Sequence, residues 1–240
     1  MERTAKIVCA ALVLALHFNS TASAQAASTE SSQSKGPGAN GPTGFEENKG
    51  QVRQTDGRPA PDVKFRLSSG GTNIFLLENG IAYQFHRSRR DPDFARLDAK
   101  MHRTPEEEAR LASMKADARV ETYRMDVILE GADPDALITS TGRSADYSNY
   151  YIHPEGLDHA SLDVRTYKEV VYHNVYPGVD WSFSMTEEGI EQDFLVAPGA
   201  DPSMIKLRFK DHEELFVDDA GSLIHGNRLG RFTEERPVSW

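Results

Sequence analysis

The stretch Val179-Asp180-Trp181-Ser182-Phe183-Ser184-Met185-Thr186-Glu187-Glu188-Gly189-Ile190-Glu191-Gln192-Asp193-Phe194-Leu195-Val196 alternates apolar and polar residues on both sides of a Glu-Glu-Gly turn. Successive side chains of a strand point to opposite faces, so Val179, Trp181, Phe183 and Met185 share one face. Ile190, Gln192, Phe194 and Val196 share one face of the return strand. Pairing Met185 with Ile190 puts both sets on the same side, as an antiparallel pair with one buried face requires.

The same period recurs outward from this hairpin. Val63, Phe65 and Leu67 alternate with Lys64 and Arg66. Ile74 to Leu77 and Ile81 to Phe85 flank Asn79-Gly80, a hairpin signature. Tyr123, Met125, Val127 and Leu129 alternate again, as do residues 205–209. Tyr147 to Ile152, Val164 to Tyr167, Val170 to Val175, Leu215 to Val217 and Leu223-Ile224 complete the predicted strands. Tyr176-Pro177-Gly178 sets a turn, with proline fixing φ and glycine free to take φ > 0. Many short strands with frequent turn signals predict an all-β, antiparallel sandwich-like fold.

Residues 91–119 break the pattern and predict a charged helical insertion. Asp91-Pro92 reads as a helix start, and Phe94, Leu97 and Met101 fall on one helical face. Thr104-Pro105-Glu106-Glu107 reads as a capping box, followed by the stripe Leu111, Met114, Ala118. Its mixed charges predict a solvated surface, with a partner-binding arm as the sharper alternative.

Residues 1–24 read as a signal peptide: basic Arg3 and Lys6, the apolar run Ile7 to Leu16, then Ala22-Ser23-Ala24. The run is too short for a membrane span. Export through a signal peptide cleaved near Ala24 is the expectation, to a secreted or cell-surface location, with no membrane span in the mature chain. Cys9 is the chain's one cysteine, so a mature chain has no disulfide and must stand on its core. Residues 25–43, rich in Ser, Ala and Gly, read as a flexible linker, and residues 44–240 as the β-rich domain. The formal net charge is −10. Losing Arg3, Lys6 and Glu2 would leave 25 basic against 36 acidic residues, near −11. A surface that acidic repels phosphate backbones, which argues against nucleic-acid binding.

The chemistry-bearing candidates are few. Asp180, Glu191 and Asp193 belong to the polar face of the 179–196 hairpin, with Ser182 opposite Asp193 and Ser184 opposite Glu191. Two carboxylates on one sheet face could serve a glycosidase as acid and nucleophile. A soluble hairpin needs a polar face in any case, and nothing in the sequence forces a shifted pKa there. Tyr150, Tyr151 and Trp181 would stack on sugar rings if exposed, and would be ordinary strand residues if buried. The histidines form no metal-ligand spacing, and no phosphate loop or nucleophile elbow is present, so neither metal nor cofactor is expected.

Several blocks also carry a family likeness. Phe45-Glu46-Glu47-Asn48-Lys49-Gly50-Gln51 has the form F-x-x-N-x-G-Q. Phe75-Leu76 with Gly80 and Tyr83, Asn149 to Ile152, Tyr167 to Asp180 and Glu191 to Pro202 follow in order. The set resembles an N-terminal domain of unknown function (DUF7948-like) of bacterial secreted or cell-surface proteins that carry SBBP-type β-propeller repeats. The resemblance implies a β-rich module outside the cell and supplies no catalytic residues. Relatives continue past the position of Trp240, so the chain is expected either to be a shortened piece or to end without those neighbours. The leading expectation is a non-enzymatic surface module of scaffold or adhesion type, with other surface proteins or glycans as partners. A carbohydrate-binding domain and a glycoside hydrolase-like enzyme are the rivals.

Overall fold

The computed structural model describes residues 7–15, 44–54, 56–69, 72–89, 93–117, 119–151, 160–187 and 189–239. Ala22 to Ala24, the linker 25–43, Asp91-Pro92, His153 and His159 lie outside them. The first strands are β1 (Ile7–Ala15), β2 (Phe45–Glu47), β3 (Val63–Ser69), β4 (Thr72–Leu77) and β5 (Gly80–Arg89). Helices α1 (Phe94–Asp98) and α2 (Pro105–Ala116) follow. Next come β6 (Arg119–Leu129), β7 (Leu137–Thr141), β8 (Tyr147–Tyr150), β9 (Ser161–Tyr167) and β10 (Glu169–Tyr176). The chain continues with β11 (Val179–Met185), β12 (Gly189–Val196), β13 (Leu207–Lys210) and β14 (Glu214–Val217). It ends with β15 (Leu223–Asn227), β16 (Gly230–Glu234) and β17 (Val238–Ser239).

Among the described residues these strands make two antiparallel sheets. One runs β14-β15-β16-β1-β12-β11-β10-β7, with β17 also paired to β1; the other runs β13-β6-β5-β4-β3-β2-β9-β8. The hairpin register is the predicted one, with Met185 opposite Ile190, Ser184 opposite Glu191 and Ser182 opposite Asp193. Gly178 takes φ = 74°, the conformation that the Tyr176-Pro177-Gly178 turn requires.

The apolar faces of the two sheets meet in one core. Tyr172, Trp181, Phe183, Ile190 and Phe194 come from the first sheet, and Phe45, Leu67, Leu76, Tyr83 and Met125 from the second. Trp181 stacks on Phe194 with ring planes 2° apart and centroids 5.7 Å apart. Phe183 reaches Phe45 edge-on at 6.4 Å, and Phe232 lies 4.5 Å from Tyr83, so aromatic contacts cross between the sheets. This is the sandwich arrangement, two sheets with their inner faces packed. Val52 and Ala60 pack with Val63, Phe75, Leu77 and Ala82 in a second, smaller cluster that holds the 48–62 loop.

The insertion is a two-helix hairpin at the tip of the β5–β6 pair, whose last partners are Arg89 and Arg119. Thr104 and Glu107 form the predicted capping box. Phe94, Leu97, Leu111 and Met114 form their own small core. Met101 is a correction to the predicted stripe: it is 90 % exposed, because α1 stops at Asp98 and the chain restarts at Thr104-Pro105. Among the described residues, no helix is long and apolar enough to cross a membrane.

Truncating Trp181, 1 % exposed, removes the ring at the centre of the aromatic cluster. Trp181→Ala is expected to cost about 3–5 kcal/mol. The urea midpoint of unfolding should fall accordingly, with its slope unchanged.

Candidate functional site

The outer face of β7, β10, β11 and β12 carries the sequence-predicted carboxylates. Across it, Thr141, Glu169, Ser184 and Glu191 lie in one paired row, and Thr139, Val171, Ser182 and Asp193 in the next. Asp180 stands apart from its two partners. Its Oδ1 accepts the Asn174 backbone N–H at 2.7 Å, and its Oδ2 lies 3.1 Å from His173 Nδ1. Asn174 has φ = 53°, so the carboxylate caps a strained backbone position. His173 Nε2 in turn lies 2.8 Å from Thr139 Oγ1. Hydroxyl, imidazole and carboxylate in series is the connectivity of an activated nucleophile. Here the hydroxyl sits on an exposed strand rather than in a cleft, where binding sites concentrate.

Glu191 and Asp193 are two apart on β12 and so project to the same side. Burial, and then the charge of Glu191, push the Asp193 carboxyl up to about 6. Among the described residues, Asp193 Oδ1 is buried without a hydrogen-bond partner. The expectation of unshifted carboxylates therefore fails at Asp193. Its desolvation comes from neighbours that the sequence does not place.

The F-x-x-N-x-G-Q motif has a structural account. Phe45 is fully buried in the core. Asn48 Nδ2 donates to the carbonyls of Ala60 and Val63 at 3.0 and 2.8 Å. Its Oδ1 accepts from the backbone N–H groups of Gly50 and Val52 at 2.9 and 3.3 Å. Gly50 takes φ = 105°, which the motif's glycine alone permits without strain. Gln51 closes the same turn, donating to the Glu47 carbonyl at 2.6 Å. One side chain thus ties both ends of the 48–63 loop together, next to the β2–β3 pair of the second sheet. A cleft of about 490 Å³ lies over it, lined by Glu47, Asn48, Pro59, Lys64, Phe65 and, from the other sheet, Ile138. That cleft is far from concentrating the carboxylates: of the predicted candidates, none lines it.

The aromatic candidates divide. Trp181 belongs to the core and presents no face to a sugar. Tyr150 is part-buried; its hydroxyl donates to Glu46 at 2.7 Å and accepts from Arg66 at 3.2 Å. Burial and Glu46 push its phenol up to about 12. Tyr151 and Tyr147 are more than half exposed, at 57 % and 58 %, and the Arg165 guanidinium covers the Tyr147 ring at 4.8 Å.

One buried group has no signature in the sequence. His225 is fully buried, with Nε2 3.0 Å from Glu234 Oε1 and Nδ1 3.2 Å from His212 Nε2. The Glu234 contact is at ion-pair distance without hydrogen-bond alignment. Burial, then His225, lower the His212 pKa. The three residues sit on β15, β16 and the turn before β14, so no spacing rule could have joined them. Among the described residues, no group of three or more His, Cys, Asp or Glu is placed to hold a metal ion.

Residues 45–240 match the model of a family described as a domain of unknown function (DUF7948). No curated protein and no solved structure matches the chain with significance.

Two outcomes follow from these geometries. Asn48→Ala removes four hydrogen bonds to backbone and should cost about 2–4 kcal/mol in chemical denaturation; Asn48→Asp should be no milder, since it turns a donor toward two carbonyls into an acceptor. Asp193 has a folded pKa above its unfolded value, so the fold binds the extra proton. Its contribution is present below about pH 4 and is lost as pH rises through about 6. Asp193→Asn should therefore raise the urea midpoint at pH 7 and leave it unchanged at pH 4.

Proposed function

As the chain belongs to the DUF7948 family of domains of unknown function, we propose that it is a non-enzymatic module of the cell exterior, a scaffold or adhesion element bound by other proteins. The observation that carries this reading is where the polar atoms of the motifs go. Asn48 holds four backbone groups, Asp180 caps Asn174, and Glu46 receives Arg66 at 2.7 Å as well as the Tyr150 hydroxyl. Glu47 accepts the Arg165 backbone N–H at 2.9 Å. Groups so committed fix loops and strand edges and have little capacity left for a substrate. The basic head, apolar run and small-residue exit of residues 1–24 support export, with cleavage near Ala24.

The rival with a specific observation behind it is carbohydrate binding through Tyr147, which opens β8, and Tyr151, which follows it, both more than half exposed. The hydrolase reading rests on Asp193 and Glu191 alone.

Expression of the full chain in a bacterium, followed by mass spectrometry of exported material and a glycan array, separates these readings. A protein recovered outside the cytoplasm beginning at Gln25, and silent on the array, is the expected result. Saturable glycan binding, abolished by Tyr147→Ala or Tyr151→Ala with the circular dichroism unchanged, would replace the scaffold reading with the carbohydrate one. Retention of the whole chain in the cytoplasm would remove the exterior location.

A further inference from the structure

Strand β1 is the apolar run of the leader, and it occupies a place no other strand fills. It pairs antiparallel with β12 along nearly the whole of both, from Ile7 opposite Val196 to Ala15 opposite Gly189, with one irregularity between Cys9 and Ala11. On its other side it pairs only at Leu14 and Ala15 with β16, and at Cys9 and Ala11 with β17. In the strand order, β1 alone joins β12 to the β14-β15-β16 meander. The slot therefore has one complete hydrogen-bonding wall, β12, and one partial wall made by β16 and β17.

The floor of the slot is core. Ile190, Gln192, Phe194 and Val196 of β12 are buried, as is Glu234 of β16 at the far wall. Among the described residues, Gln192 Oε1 on this face and Asp193 Oδ1 on the opposite face of β12 are buried with no hydrogen-bond partner. A strand that leaves such a slot exposes a row of unpaired backbone groups beside apolar surface. Adding a strand at such an edge is a recurring mode of peptide recognition. The main chain supplies affinity and alternate side chains supply selectivity.

We propose that the channel between β12 and the β16–β17 wall is a strand-acceptor site, which in the mature domain binds an extended, apolar, proline-free segment of a partner protein antiparallel to β12. The segment that shows the chemistry is Ile7–Ala15 itself, nine residues without a charge or proline. Proline is excluded because it cannot donate to the β12 ladder. The proposal rests on the export reading, since cleavage near Ala24 separates the leader strand from the domain. It gives the scaffold reading a surface and a kind of partner.

The test begins with the intact folded chain. A protease site placed within residues 25–43 is cut after folding, and a fluorescent, lysine-tagged peptide of the sequence 7–15 with Cys9→Ser is added in excess. A second peptide carries Val8→Pro and Leu12→Pro. The first peptide should replace the leader fragment one for one and slow hydrogen exchange of β12 amides at least ten-fold over the emptied domain. The proline peptide should do neither. If the fragment does not exchange, or if cutting unfolds the domain, a cycle of denaturation and refolding with each peptide decides. Refolding with incorporation of the first peptide and not the second supports the site; equal behaviour with both overturns it. An emptied domain that stays folded and takes up no peptide also overturns it. Failure of the export reading shows separately, as an uncleaved leader in the mass spectrum, and does not alter the peptide result.

Discussion

The contact on which the rest of the structure depends is the aromatic seam around Trp181. Its ring lies parallel to Phe194 across the β11–β12 pair and 4.5 Å from Phe183 on its own strand. Phe183 in turn meets Phe45 of the other sheet. A one-residue slip of β12 would send Ile190, Phe194 and Val196 to the solvent face and bring Glu191 and Asp193 into this seam. The register is therefore set by burial, and the placement of every outer-face polar group follows from it. Phe45 gives the seam a second use. It anchors the first strand of the second sheet, and three residues later Asn48 holds the loop that covers that sheet's outer face.

That dependence explains what was legible in the sequence. Alternation is a local signal, so the 179–196 hairpin, its register and the placement of Trp181 with Val179 and Phe183 could all be read directly. The capping box at Thr104 and Glu107 is equally local. Strands β7 and β16 lack that alternation. Leu137-Ile138-Thr139-Ser140-Thr141 is a half-exposed edge whose apolar residues are adjacent rather than alternating, and β16 has Gly230 and Arg231 before its buried Phe232. The spacing of Phe94, Leu97 and Met101 predicts one continuing helical face, but α1 stops at Asp98 and Thr104-Pro105 starts a new helix, which leaves Met101 in solvent.

The candidate site was legible as a list of residues and not as an arrangement. The sequence placed Glu191 and Asp193 on one face, and they are there. It could not show that Asp180 would be drawn off by Asn174 and His173, because that requires knowing that Asn174 takes a positive φ. Nor could it show that burial raises the Asp193 carboxyl. The His212–His225–Glu234 group is the extreme case, assembled by strand pairing from three separate segments. Such groups are products of topology, and topology is what a single sequence conveys least.

The small helical hairpin has a consequence of another kind. Its four buried residues pack on one another, and its ion pairs, Arg110 with Asp93 and Lys115 with Asp98, close within it. It hangs from the β5–β6 pair as an appendage with its own interior, sharing no buried residue with the sandwich core among the described residues. Change at that tip is uncoupled from the body. Residues there could be added, removed or recharged without touching the packing between the two sheets.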